Sequence, residues 1–239
     1  MPFAGRPVET DTSPGAWIAA AVHDSLADVG SLVPPVFAAY ARVFHPPVRY
    51  EGDDDVDVTW AAVAAHNDTV AHPLMQWPAV TGAWDYLTED SQPPVWDRAP
   101  DEGHLPVGTA ARIAAVLAGH TGTPDDCFFG LWTGCGLEAS DAPTLALPHR
   151  DFWIIRGPLG LAAANLADEP SEQSAHLWWP ADRSWCVATD IDQTSSYVGG
   201  SAACIADLLA AEGLEAAPAS TDQSTFFDAD TVNALPPRN

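Results

Sequence analysis

The sequence LWWPADRSWCVATDIDQTSSYVGGS, residues 177–201, has the strongest strand pattern of the chain. Two apolar runs, Leu177–Trp179 and Trp185–Ile191, flank the turn-forming residues Pro180–Arg183, and this order is typical of a β-hairpin. A further short strand is expected at Tyr197–Val198, where aromatic and β-branched side chains favour extended backbone. The stretch therefore predicts an antiparallel sheet in the second half of the chain.

The residues on either side of this hairpin predict more strands and several helices. Short apolar runs between turn-forming residues indicate strands, and apolar side chains at helical spacing indicate helices. Strands are predicted at Cys127–Trp132, Phe152–Ile155 and Leu214–Ala217, the last at a sheet edge, and helices at Thr109–Gly119, Leu159–Ala167 and Ser201–Glu212.

The first hundred residues predict a helical region. Ser13–Pro14 is a typical helix start, with a helix from about Ala16 to Asp28. Pro35 is expected to open a second helix through Tyr40 and Phe44. A third is predicted at Thr59–His66, a loop at Glu51–Asp57, and a long surface connection over residues 86–106.

These elements predict an α+β protein, because the helices come early and the strands come late. A helical and loop-rich N-terminal part, residues 1–100, is followed by a small, mainly antiparallel sheet with flanking helices in residues 101–239. The two parts form either separate units or one continuous domain.

The charge of the chain excludes several functions. The 239 residues contain no lysine, nine arginines and 33 acids, for a net charge of -24. A Schiff-base lysine or a phosphate-binding P-loop lysine is therefore impossible here. Nucleic acids and anionic membranes are poor partners for such a surface, whereas a basic protein suits it well.

The cysteines and the N-terminus indicate a cytoplasmic protein. Residues 1–13 are polar, without the apolar core of a signal peptide, and no apolar run reaches the roughly 20 residues of a membrane span. We expect reduced thiols that act as small buried hydrophobes at Cys127, Cys135, Cys186 and Cys204.

Asp190 and Asp192 form the first candidate site. The sequence Asp190–Thr194 follows an apolar strand and resembles the first motif of the haloacid-dehalogenase phosphatases. That family needs a later lysine, which this chain lacks. The two carboxylates either hold a divalent cation such as Mg²⁺ or end the strand in solvent.

Gly199, Gly200 and Ser201 resemble a degraded nucleophile elbow between a strand and a helix. The hydrolase order requires a histidine after the serine, but the last histidine is His176. A tight Gly-Gly turn with Ser201 as helix cap is the simpler interpretation. A helix start of this kind also suits an anion, with Arg183 as the nearest cation in sequence.

No cofactor motif is complete. Gly134–Ala139 matches the spacing of a dinucleotide-binding loop, yet the residues after it are not helical in pattern. The eight histidines are scattered without metal-ligand spacing. We therefore predict no cofactor and no metal site built from neighbouring residues.

Trp178, Trp179 and Trp185 lie close together around Arg183. Large aromatic side chains most often fill a core. Adjacent strand residues point to opposite faces, however, so one of Trp178 and Trp179 is a candidate for a groove or a partner surface.

Three segments carry a resemblance to a known family. Tyr40–Pro46, His72–Trp77 and Leu177–Ser201 resemble a family of uncharacterised actinobacterial proteins, over most of the chain. That family has no established activity, so the resemblance implies no catalytic residue. The strand–strand–helix ending also resembles the SUKH immunity proteins, which bind and neutralise toxins.

Two functional hypotheses follow. The first is a non-enzymatic, immunity- or adaptor-like module that binds a basic protein. The alternative is a small-molecule or divalent-metal-dependent enzyme that uses Asp190, Asp192 and Ser201. The oligomeric state stays open at this point.

Overall fold

A computed structural model describes residues 3–84, 91–137, 142–168 and 170–237. Its centre is one antiparallel sheet of eight strands, and a separate two-stranded hairpin lies outside this sheet. The strands are β1 (Ala39–Phe44), β2 (Val48–Glu51), β3 (Asp54–Asp57), β4 (Cys127–Trp132), β5 (Leu145–Leu147), β6 (Arg150–Gly157), β7 (Leu177–Pro180), β8 (Cys186–Thr189), β9 (Ser195–Gly200) and β10 (Ala216–Ala219).

The large sheet has the strand order β10-β1-β9-β8-β7-β4-β6-β5. The predicted hairpin is present as β7 and β8, which pair Trp178 with Val187. The early strand β1 lies between the late strands β9 and β10, with Arg42 opposite Tyr197 and Ala217. The sheet therefore joins N-terminal and C-terminal residues of the chain.

Five α-helices accompany the sheet in the described residues, and none is long and apolar enough to cross a membrane. Ser201 caps the last helix, where its Oγ accepts a hydrogen bond from the Cys204 amide at 3.1 Å. The helices are α1 (Ala16–Ala19), α2 (Trp60–His66), α3 (Trp77–Thr81), α4 (Val107–Leu117) and α5 (Ala202–Leu209).

Both faces of the sheet are buried, and adjacent strand residues point to opposite sides. Trp178 and Val187 pack on one face with the apolar sides of α4 and α5. Trp179 and Tyr197 pack on the other face with Ile18 from the N-terminal segment. The strands in the middle are consequently apolar on both sides.

The α+β class is confirmed, but the helical N-terminal part is wrong. The helix expected over residues 16–28 ends at Ala19, and the helix expected through Tyr40 and Phe44 is strand β1. The expected loop at residues 51–57 belongs to the β2–β3 hairpin. The helix expected from Thr59 is present as Trp60–His66.

Arg42 is the most unusual residue of β1, because it is 1% exposed. Its Nε donates to Ser195 Oγ at 2.9 Å, and its Nη1 donates to the Met75 carbonyl at 2.8 Å. The guanidinium lies 4.5 Å from the centre of the Phe44 ring and 5.5 Å from that of Trp60. Burial lowers the pKa of this arginine. The side chain thereby joins the sheet to the segment that leads into α3.

Hydrogen bonds hold the C-terminal segment against the body of the protein. Asp230 is 5% exposed, and its Oδ1 lies 2.8 Å from His72 Nε2. Its Oδ2 accepts from the Gln76 amide at 3.2 Å. Asn233 exchanges hydrogen bonds with the backbone of Val70 at 2.8 and 3.0 Å. These contacts hold the segment against the loop before α3.

Candidate functional site

Polar side chains gather at one end of the large sheet, which we call the polar end. Strands β1, β4 and β8 finish there, and β6, β7 and β9 begin there, as their antiparallel registers require. Strand ends leave the hydrogen-bonded ladder, so polar groups there need other partners. The buried polar residues at this end are His45, His176, Thr189, Asp190, Ser195 and Ser196.

Asp190 follows β8 and is bound by Arg150, the first residue of β6. Arg150 Nε donates to Oδ2 at 2.8 Å, and Nη2 donates to Oδ1 at 3.0 Å. The same Nη2 lies 3.3 Å from Asp192 Oδ2. Arg150 and Asp190 are mostly buried, with side-chain exposures of 14% and 8%, whereas that of Asp192 is 73%. The two predicted aspartates thus converge, and an arginine joins them.

A groove with two adjoining parts surrounds this ion pair, and we call it the Arg150 groove. The inner cleft has a volume of about 30 Å³ and the outer cleft about 300 Å³. The inner cleft continues to Trp132 and His176. Both parts are lined by Leu26, Leu32, Arg150 and Asp190, and the outer cleft also by Asp192, Gln193, Phe226 and Phe227.

The walls of the outer cleft are apolar and open to solvent. Leu26 is 40% exposed, Phe226 50% and Phe227 37%. The C-terminal segment supplies the two phenylalanines, and its Thr225 amide donates to the Ala27 carbonyl of the N-terminal segment at 3.0 Å. Large apolar side chains grouped in this way mark a binding surface more often than scattered ones do.

His176 forms part of the inner cleft in its neutral state. Burial lowers its pKa to about 4. Its Nδ1 accepts a hydrogen bond from the Trp132 amide at 3.1 Å, so the ring proton is on Nε2. The Trp132 ring lies against the Arg150 guanidinium, with its centre 5.4 Å from Cζ. The inner cleft therefore combines an aromatic ring, a neutral imidazole and a tightly paired arginine.

The rim of the groove is acidic. Partial burial and the nearby charge of Asp192 together raise the pKa of Glu102. Arg150 is already shared between Asp190 and Asp192. The positive charge of Arg150 is therefore shared by two carboxylates, and Glu102 is a third carboxylate close enough to Asp192 to interact with its charge. The rim consequently suits a cation better than an anion.

A second polar cluster at this end, His45, Ser196 and Thr189, is sealed from solvent. His45 Nδ1 lies 2.7 Å from the Asp101 carbonyl, to which it donates, and Nε2 lies 2.9 Å from Ser196 Oγ. Ser196 Oγ lies 2.6 Å from Thr189 Oγ1. A serine and a histidine at this distance have the geometry of a nucleophile and its base. Both are 0% exposed, however, so they satisfy each other inside the core.

Residues 101–105 cover this cluster. The Gly103 amide donates to the Gln193 carbonyl at 3.0 Å, and the Leu105 amide donates to Ser174 Oγ at 2.8 Å. Gly103 has a φ of +69°, and a Cβ there would lie 2.5 Å from the Ile191 carbonyl oxygen. Glycine is required at this position for both reasons.

The three tryptophans singled out from the sequence are core residues. Trp178 and Trp179 pack on opposite faces of the sheet, as the alternation predicts, but each is 1% exposed. Trp185 is 0% exposed, and its Nε1 donates to the Leu117 carbonyl at 3.1 Å. Neither member of the Trp178–Trp179 pair faces an open groove, because both faces of the sheet are covered.

The remaining predicted residues lie away from the Arg150 groove. Gly199 and Gly200 are buried strand residues, so the expected tight turn is wrong. A Cβ on Gly199 would lie 2.5 Å from Phe37 Cδ2, so close packing explains this glycine. Ser201 follows the far end of β9, opposite the polar end, and caps α5. Arg183 is exposed in the β7–β8 turn, with Cζ 5.8 Å from the centre of the Trp17 ring.

The four cysteines are free thiols. Cys127, Cys186 and Cys204 are buried as predicted, and Cys135 is half-buried. Burial raises the pKa of Cys127 to about 12 and that of Cys204 to about 11, so both are protonated at neutral pH.

Metal ligands do not converge in the part of the chain that the structure describes. No group of three His, Cys, Asp or Glu side chains there is arranged to hold a metal ion. Asp190, one of the two carboxylates considered for Mg²⁺, has both oxygens bonded to Arg150. The geometry at this position is that of an ion pair.

Asp190 and Asp192 stood out in the sequence, whereas Arg150, Trp132 and His176 did not. Arg150 begins an apolar strand, and an arginine at the buried end of a strand needs a carboxylate, such as an acid at another strand end. That pattern is the signal that could have found it. No protein-family model, curated protein or solved structure matches the chain.

Proposed function

We propose that this protein is a non-enzymatic binding module for a basic protein partner. The observation that supports this proposal is that most of its arginines are already paired with carboxylates or buried. Of the eight in the described residues, five pair with carboxylates and a sixth, Arg42, is buried. The pairs are Arg49–Glu51, Arg98 with Asp55 and Asp101, Arg112–Asp57, Arg150 with Asp190 and Asp192, and Arg156–Asp126.

The surface offered to a partner is therefore dominated by carboxylates. Acids exceed arginines in both halves of the chain, by 16 to five in residues 1–120 and by 17 to four in residues 121–239. The negative electrostatic field of such a surface accelerates the approach of a positively charged protein and repels acidic proteins. The resemblance to immunity proteins, which bind toxins, implies the same kind of activity.

The test begins with the protein that co-purifies with the chain from its source cells. That protein is identified by mass spectrometry, produced separately, and its association rate is measured at increasing salt. We expect a basic protein whose association rate falls about tenfold or more between low and physiological ionic strength. An acidic partner, or an association rate independent of salt, contradicts the proposal.

The Arg150 groove supports a second candidate, a small-molecule ligand. Its lining is mainly apolar, with Arg150, Asp190 and His176 as converging polar groups, which is the usual composition of a ligand pocket. Ser201 does not belong to this small-molecule site, because it follows the end of β9 that lies opposite the polar end. Native mass spectrometry of the purified protein is the test. This candidate is supported if the protein retains a small molecule that is lost in Leu147→Trp, a variant that narrows the inner cleft. A protein mass without any added ligand counts against it.

A further inference from the structure

We infer that the Arg150 groove is the docking site for the partner, and that it binds a segment in which an apolar side chain stands next to a cationic one. This inference rests on the proposed function. It adds the location of the site and the chemistry of the bound segment.

The apolar half of the site is the outer cleft. Leu26, Phe226 and Phe227 are three of the eight large hydrophobic side chains that are exposed in the described part of the chain, and all three line this cleft. Burial of such surface is the main source of affinity in protein complexes. A leucine or aromatic side chain of the partner therefore belongs between Leu26 and the two phenylalanines.

The charged half of the site is Asp192. Its side chain is 73% exposed and lines the same cleft as the phenylalanines. The Asp192 amide donates to Asp190 Oδ1 at 3.0 Å, and this bond fixes the backbone that carries the carboxylate. Asp192 is thus preorganised for a cation, and less freedom is lost when one binds.

Arg150 does not turn the groove into an anion site. Two of its nitrogens are already bonded to Asp190, and one of these also reaches Asp192. A carboxylate or phosphate would have to displace these partners, and the exposed carboxylate of Asp192 would repel it. An arginine or lysine of the partner can bond the other oxygen of Asp192, Oδ1, without displacing Arg150.

The test uses a fluorescein-labelled peptide of about twelve residues with alternating leucine and arginine, long enough in extended form to cross both clefts. Fluorescence anisotropy gives its dissociation constant with the intact protein. Asp192→Asn removes the cation partner, and Phe226→Ser removes one apolar wall. Asp53→Asn and Val36→Ser are the matched controls, because both residues are exposed and lie outside the groove.

We expect Asp192→Asn and Phe226→Ser each to weaken binding about fivefold, and both controls to change it less than about twofold. Equal losses of peptide affinity in Asp192→Asn and Asp53→Asn would show that the groove is not the docking site. If the affinity still falls as salt is added, the proposed function remains supported in that case. A peptide of alternating leucine and glutamate that binds as tightly would overturn both. Leu26→Ser repeats the apolar test if Phe226→Ser alters the melting temperature.

Discussion

Arg150 holds Asp190 with two parallel hydrogen bonds, Nε to Oδ2 at 2.8 Å and Nη2 to Oδ1 at 3.0 Å. A pair of the same shape joins Arg156 to Asp126, at 2.6 and 2.8 Å. The two differ in their surroundings, because the first is mostly buried, whereas the side chains of the second are 49% and 36% exposed. The chain therefore contains its own control for the effect of burial on a bidentate ion pair.

We expect Asp190→Asn to lower the free energy of unfolding by about 3 kcal/mol, because it leaves the Arg150 charge buried without its partner. Asp126→Asn should cost much less, since water and salt screen the exposed pair. Urea unfolding of both variants measures the difference. Similar losses in the two would show that burial is not what makes the Arg150 pair important.

Arg42→Lys should destabilise the protein by about 2 kcal/mol, although it keeps the positive charge. A lysine lacks the guanidinium group, whose separate nitrogens donate to Ser195 Oγ and to the Met75 carbonyl. It also loses the stacking of the planar guanidinium on the Phe44 ring. Arg49→Lys is the control, because the Arg49 side chain is 37% exposed and pairs with Glu51. Equal shifts in the urea midpoint would refute the special role of Arg42.

Acid should destabilise the protein before most of its carboxylates are protonated. Burial lowers the pKa of His45 and of His176 to about 4, from 6.5. The unfolded chain therefore takes up these protons first. Stability is fully present above about pH 6.5 and falls as the pH decreases toward 4, by roughly 2–3 kcal/mol per histidine.

The melting temperature between about pH 7 and 5 measures this loss. Burial also raises the pKa of Glu215, and this favours the folded state at lower pH. The effect of the histidines is therefore seen most clearly near the upper end of this pH range. His45→Gln should flatten the slope, and His66→Gln, at an exposed position, should leave it unchanged. An unchanged slope in His45→Gln would mean that this histidine does not cause the loss.

Salt should stabilise the protein. With 33 acids and nine arginines, repulsion among carboxylates opposes the compact state, and salt screens that repulsion. We expect the melting temperature to rise between about 20 and 300 mM NaCl. A flat or falling melting temperature over this range would show that the carboxylates do not destabilise the fold.

Ser201→Ala should lower the free energy of unfolding by about 1 kcal/mol without changing peptide binding, because Ser201 caps α5 and lies outside the Arg150 groove. Thr59→Ala is a matched cap variant, since Thr59 Oγ1 accepts from the Ala62 amide at the start of α2, also at 3.1 Å. A loss of binding in Ser201→Ala alone would place Ser201 in the site after all.

Local patterns were enough to predict several elements. The β7–β8 hairpin and helices α2, α4 and α5 each have their apolar pattern and their ends within a short stretch. Strand β1 was not predictable in this way, because β9 and β10 stabilise it from the other end of the chain. Arg42 lies opposite Tyr197, and nothing in the residues after Pro35 points to that partner.

The same distinction between local sequence patterns and long-range pairing applies to the candidate site. Asp190 and Asp192 were recognisable, because they stand together after an apolar run. Arg150 and His176 join them only through the register of β4, β6, β7 and β8. The outer wall of the groove reaches it through a C-terminal segment whose contact with His72 has no local signature. Pairing across the sheet, rather than any motif, assembles the groove.

The edges of the large sheet have a further consequence. Its two edge strands, β10 and β5, contain only four and three residues. Pro218 stands within β10 and has no amide hydrogen to offer to another strand. Fibrils grow when a strand is added to an open edge. Strand β6 extends beyond β5 at one edge, but there Val8 pairs with Ile155 and the Glu9 amide donates to the Ile154 carbonyl at 2.7 Å. Concentrated solutions of the folded protein should therefore stay free of fibrils even when added salt has screened its charge.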